Sequence, residues 1–211
     1  MTLIAINVLL LPDAATAEKA VSTNARLLKN YPAGFALDAN HAPHITLIQQ
    51  FVQTKDLAAV ANVVAAALSN EHPAQWESTA TGFYDMAYKN LGLVGIVIEP
   101  TAGLQLLQQK IIAAVAPFAA AKGTAEAFAP RADGESINQA TVDYVNNFVG
   151  SSSGINYHPH LTCGIGNRDF VDALKAEPFE PISCQPIGVG IYQIGDYGTA
   201  QTKLYDFSDA G

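Results

Sequence analysis

An α+β fold of two lobes related by a pseudo-twofold axis, each lobe a strand-helix-strand-strand unit, is what these 211 residues predict. Three observations carry that expectation. A short phrase is written twice, as HAPHIT at residues 41–46 and HPHLT at residues 158–162. After each phrase the hydrophobic periodicity runs in the same order, from period 2 to the helical period and back. The composition, 49% apolar and 14% charged, is that of a chain with a sizeable core. The expected sheets are mostly antiparallel and flank a central cleft, within one domain spanning residues 1–211.

Each element has a local reason. LIAINVLLL is an apolar run closed by Pro12-Asp13, with no Lys or Arg ahead of it, and reads as a first buried strand rather than a secretory leader. Ala17, Ala20, Val21 and Leu28 recur at helical spacing over residues 14–30, and residues 31–40, with Pro32 and Gly34, read as a loop. HITLIQQF alternates and is rich in branched residues, which predicts a strand. Thr54 is expected to cap a helix bearing Leu57, Val60, Ala61, Val64 and Leu68, ended before Pro73. Residues 75–85 and 91–99 read as a hairpin through Lys89-Asn90. A helix from about Gly103 presents Leu104, Leu107, Ile111 and Val115, and a shorter one is marked by Ile137, Thr141, Tyr144 and Phe148 before a flexible GSSSG. HLTCGIG then predicts a strand, residues 168–176 a helix facing inward through Phe170, Val171 and Leu174, and residues 185–194 and 201–207 two more strands.

Charge and cysteine content narrow the classes of function. The net charge of −8, from eight Lys and three Arg against 19 acidic residues, argues against holding long nucleic acid, which is gripped by clustered cations. A nucleotide-sized ligand or an oligonucleotide end remains compatible, because one phosphate can be held by hydroxyls and amides. Two cysteines, Cys163 and Cys184, are too few for a disulfide scaffold or a thiolate metal site. No apolar run reaches membrane-spanning length. A soluble, monomeric, cytoplasmic protein is the expectation.

The repeated phrase carries the chemistry. Residues two apart on a strand share a face, so His44 stands beside Thr46 and His160 beside Thr162. Two imidazoles on opposite sides of a phosphorus atom can act as base and acid in one displacement, and two threonine hydroxyls can donate to its oxygens. A lone histidine on an apolar strand reads first as a hydrogen-bonded core residue. Repetition of His and Thr at one offset, which packing does not require, favours catalysis. His41 and His158 stand at unequal offsets and read as turn or supporting groups. Four histidines raise a metal site as an alternative, but the recurring Thr has no place in one, and neither metal nor cofactor is expected. Tyr157 is a candidate substrate contact beside the second motif, Phe83 and Tyr84 are candidate base-stacking residues, and Lys89, Arg131 and Arg168 are candidate phosphate contacts. Cys163 is expected to face away from Thr162.

The paired motifs, His44-Ile45-Thr46-Leu47 and His160-Leu161-Thr162-Cys163, resemble those of the 2H phosphoesterase superfamily, which includes 2'-5' RNA ligase-like proteins and cyclic nucleotide phosphodiesterases. The resemblance implies a bilobal fold with a central cleft, metal-independent catalysis by His44 and His160, phosphate binding by Thr46 and Thr162, and substrates such as 2',3'-cyclic phosphates or 2'-5' linkages. The chain departs from many members in carrying Cys163-Gly164-Ile165-Gly166 after the second motif, with Arg168 only past the strand. A non-catalytic nucleotide- or phosphate-binding module of the same fold is the alternative.

Overall fold

The computed structural model describes residues 2–72 and 75–207. Eight strands form one antiparallel sheet: β1 (Leu3–Leu11), β2 (Ile45–Gln53), β3 (Ser78–Tyr88), β4 (Leu91–Ile98), β5 (His160–Asn167), β6 (Ile182–Cys184), β7 (Gly188–Ile194) and β8 (Ala200–Asp206). Among the described residues five helices accompany them: α1 (Ala14–Asn30), α2 (Leu57–Leu68), α3 (Ala102–Val115), α4 (Gln139–Ser151) and α5 (Arg168–Ala176). None is long and apolar enough to cross a membrane.

The strand order is β6-β3-β4-β5-β2-β1-β7-β8, so the motif strands β2 and β5 are neighbours at the centre. Each carries three further strands outward, which makes the two lobes. The lobes trade segments: β3 and β4, which follow the first motif, join β5, while β7 and β8, which follow the second, join β1 beside β2. Strands β2 and β5 pair only through Ile45 and Leu161, at the very start of each, and run apart from there. The sheet curls enough for Ala42, just before β2, to bridge Ala200 at the start of β8.

The main core lies on one sheet face, where Ile4, Ile6, Val8 and Leu10 of β1 meet Ile45, Ile48 and Leu161 and the helices' apolar stripes. Val60, Ala61, Val64 and Leu68 of α2, and Leu104, Leu107, Ile111 and Val115 of α3, are buried as their spacing predicts. A second cluster, Ala5, Phe51 and Ile194 under Phe128, Val142 and Val145, covers the far end of the other face.

Four local expectations are corrected. Helix α1 buries Thr16, Ala20, Thr23, Asn24 and Leu27 and leaves Val21 exposed, because Asn24 is a fastener. Its amide donates to the carbonyls of Phe35 and Cys163, each at 2.8 Å, and its oxygen accepts from the Leu37 amide at 2.9 Å. Thr54 does not cap α2; its hydroxyl donates to the Thr2 carbonyl at 3.0 Å and the chain makes a 3-10 turn first. Pro73 lies outside the described residues. The GSSSG stretch is helical through Ser151, and strand β6 intervenes before β7.

Candidate active site

Proline explains why each motif histidine is aimed as it is. Pro43 and Pro159 fix their own φ and hold the preceding residue extended. In both halves the carbonyl two residues before the histidine then faces that histidine's ring. Nδ1 of His44 donates to the Ala42 carbonyl at 2.8 Å, and Nδ1 of His160 to the His158 carbonyl at 2.8 Å. A carbonyl only accepts, so each Nδ1 carries the proton and each neutral ring keeps its lone pair on Nε2. His158 thus contributes its backbone, and His41 lies in the loop paired with Asp38 at 3.4 Å and packed near Phe35.

The Ile45–Leu161 register sets His44 across from Thr162 and Thr46 across from His160, all on the sheet face opposite the main core. Diagonal partners on such a face are roughly 7–8 Å apart, which spaces the imidazoles for a group bound between them. Both strands bulge immediately after the threonine. Leu9 and Val8 pair with Thr46 and Ile48, leaving out Leu47. Gly95 and Val94 pair with Thr162 and Gly164, leaving out Cys163. The last residue of each H-x-T-x motif is therefore the bulged one. Cys163 is fully buried in the main core, facing away from Thr162.

Behind the motifs the halves differ. Asn7 of β1, fully buried, donates from Nδ2 to His44 Nε2 at 3.1 Å and to Thr46 Oγ1 at 3.2 Å, while its own Oδ1 is buried with no partner. On the other side the Tyr84 ring of β3 meets His160 edge-on, with centroids 4.8 Å apart. The Tyr84 hydroxyl lies near Thr162, but it is buried and makes no well-formed hydrogen bond. Room for that ring comes from Gly95, where a Cβ would stand 2.3 Å from Tyr84 Cε1.

Burial disfavours the charged form of both histidines. It takes His44 down to about 4, with the nearby His160 imidazole pushing the same way and the Ala42 carbonyl opposing. His160 is lowered by burial too, against the pull of the His158 carbonyl. An anion between them reverses this balance by favouring imidazolium.

The other expected contacts are placed elsewhere. Tyr157 is 5% exposed, and its hydroxyl donates to the Thr46 carbonyl at 3.0 Å, so it fixes the strand rather than offering a surface to substrate. Phe83 packs edge-on against Phe179. Arg168 follows β5 at its far end, about 25 Å along the strand from His160, and is held by Asp85 and Asp172. Lys89 sits in the hairpin tip at that end, in the left-handed region with φ 55°. Arg131 is tied to Asp133 and Asp196. The described residues gather no group of three or more His, Cys, Asp or Glu that could hold a metal. Asn7 is a site residue that the sequence reading missed, and Tyr84, expected there to stack on a base, meets the His160 ring. The one polar residue within LIAINVLLL was a signal for the first; for Tyr84 the signal needed the strand register.

A family model of the 2'-5' RNA ligase superfamily matches residues 12–193. The chain belongs to that superfamily. Among solved structures it is similar to Escherichia coli LigT complexed with NADP+, at 14% identity over 98% of both chains and a TM-score of 0.52, which shows a shared fold. The same protein complexed with 3'-AMP matches at 15% identity over 95% of both chains, with a TM-score of 0.46. Kluyveromyces marxianus Usb1 matches at 10% identity over 96% of this chain and 97% of its own, with a TM-score of 0.42. No curated protein matches the sequence. In this member of the superfamily both motifs come from adjacent strands at the join of the lobes.

Proposed function

We propose that the protein is a metal-independent phosphoesterase acting on a 2',3'-cyclic phosphate or a 2'-5'-linked phosphodiester of a nucleotide or short RNA end. The observation that carries this reading is the pair of His-x-Thr units at the starts of β2 and β5, set diagonally on one face with each Nδ1 anchored to a carbonyl. One neutral imidazole takes a proton from water as its oxygen bonds to phosphorus. The other, protonated, gives its proton to the ribose oxygen as the P–O bond breaks. Thr46 and Thr162 donate to the non-bridging oxygens, where negative charge grows. A monomer in the cytoplasm suits the reading, and both cysteines are free and buried.

The paired arginines motivate a second reading, a module of this fold that binds a nucleotide or phosphate without turnover. Arg26, Arg131 and Arg168 all sit in ion pairs with carboxylates, which leaves no arginine unpaired for a phosphate. The test is incubation of chelator-treated protein with a panel of 2',3'-cyclic nucleotides, with products separated by chromatography. Ring opening to a nucleoside monophosphate supports the enzyme. Tight binding without turnover supports the module, and activity that vanishes with chelator and returns with zinc contradicts the metal-free mechanism.

A further inference from the structure

A threonine hydroxyl has one hydrogen and two lone pairs. To donate to phosphate it must not spend that hydrogen on the protein, and a donor aimed at its oxygen from behind ensures this. Asn7 is such a donor for Thr46: it reaches Oγ1 at 3.2 Å through an amide N–H, so the Thr46 hydrogen is left for a partner in the cleft. The position matching Asn7 in the other half is Leu93, which pairs with Ile165 as Asn7 pairs with Gln49. Leucine has nothing to donate. Tyr84 instead reaches this half from the next strand over, through its pairing with Gly95, itself paired with Thr162.

Tyr84 carries an unexplained feature. A buried hydroxyl normally finds a partner, and leaving one unmade costs stability. The Tyr84 hydroxyl lies buried next to Thr162 without a well-formed hydrogen bond, over a glycine whose Cβ would otherwise exclude the ring. Packing alone would be served by phenylalanine. The feature makes sense if the hydroxyl is completed when the site is filled.

We infer that Asn7 and Tyr84 are non-equivalent residues doing one job, each donating to the oxygen of its motif threonine so that the threonine hydrogen points to the bound phosphate. Asn7 does so in the free protein, whereas Tyr84 closes onto Thr162 as phosphate draws the Thr162 hydrogen outward. Both are positioning residues acting through the threonines. The inference rests on the phosphate site proposed above, and phosphate binding tests it without requiring turnover.

The experiment is a double-mutant cycle on affinity for inorganic phosphate, measured by calorimetry, with thermal unfolding of each variant in phosphate-free buffer. Tyr84→Phe is expected to weaken phosphate about tenfold while its melting temperature stays level or rises by about 2 °C, because an unsatisfied hydroxyl has been removed. Thr162→Val should weaken phosphate by a similar factor, and adding Tyr84→Phe to it should cost nothing more. Asn7→Leu, which copies Leu93, should also weaken phosphate, but because Asn7 donates to His44 Nε2 as well as to Thr46 its effect should only partly overlap with that of Thr46→Val and its melting temperature should fall.

Undiminished phosphate affinity in Tyr84→Phe, full additivity with Thr162→Val, or a clear fall in its melting temperature would each overturn the inference while leaving the phosphate site standing. A wild-type protein that binds no phosphate would overturn the site and the inference together. Tyr157→Phe is the control for the thermal readout: its hydroxyl is bonded to the Thr46 carbonyl, so its melting temperature should fall.

Discussion

The two halves of the site bring the same residues to the same point and then diverge one strand away. Around Thr46, the neighbouring strand places Leu9 and the strand beyond it Gly190; around Thr162, the corresponding positions are Gly95 and Tyr84. Large and small have changed places, so one half is backed by an asparagine close in and the other by a tyrosine reaching across a glycine. What the two halves share is what the proposed chemistry requires: His, Thr, the bulge after Thr and the proline-set carbonyl. The scaffold behind them differs: Asn7 donates to Thr46 on one side, and the Tyr84 ring packs against His160 on the other.

The largest effect tests whether the halves are equal partners. His44→Ala and His160→Ala are each expected to lower turnover of a 2',3'-cyclic nucleotide by roughly 10²–10⁴; a variant that kept near-full rate would reduce its half to a scaffold. Acid titration then separates them by burial. His44, normally near 6.5, is held down to about 4 when folded. As pH falls below about 6.5 the unfolded chain takes a proton that the folded chain refuses, so stability drops, and this contribution levels off once pH passes about 4. The loss from this one group is roughly 3 kcal/mol. Denaturant melts across that window should show it in the wild type and much reduced in His44→Gln.

Gly95→Ala probes the tyrosine side alone. Its Cβ would collide with the Tyr84 ring and lie 3.1 Å from the Leu161 carbonyl oxygen, so a destabilisation of about 1–3 kcal/mol is expected. Combining it with Tyr84→Leu should recover part of the loss, because the collision partner is gone. The smallest effect is on the strand carrying Thr46: Tyr157→Phe removes one hydrogen bond and should cost about 1 kcal/mol in urea unfolding.

Much of the centre of this molecule was readable in the sequence. Alternation placed His44 with Thr46 and His160 with Thr162 on strand faces, and the stripes of α2 and α3 matched their buried residues. What was not readable depended on pairing. Hydrophobic period says which face of β4 is inward but not that β4 lies against β5, so neither the exchange of strands between lobes nor the fit of Tyr84 over Gly95 followed from it. Tyr157 misled for a related reason. Nearness in sequence to His160 suggested a place in the cleft, whereas the chain turns there and buries the ring under Thr46. In α1, the polar Asn24 overrode the apolar pattern because three backbone groups depend on it.

The central claim is that His44 and His160 serve one phosphate. Imidazole resonances of both can be followed by nitrogen-detected NMR while inorganic phosphate is added, with His44→Gln and His160→Gln supplying the assignments. The account predicts that both rings shift together along one isotherm of unit stoichiometry, each becoming easier to protonate as the anion binds. Response of only one ring, or two isotherms with separate affinities, would contradict it.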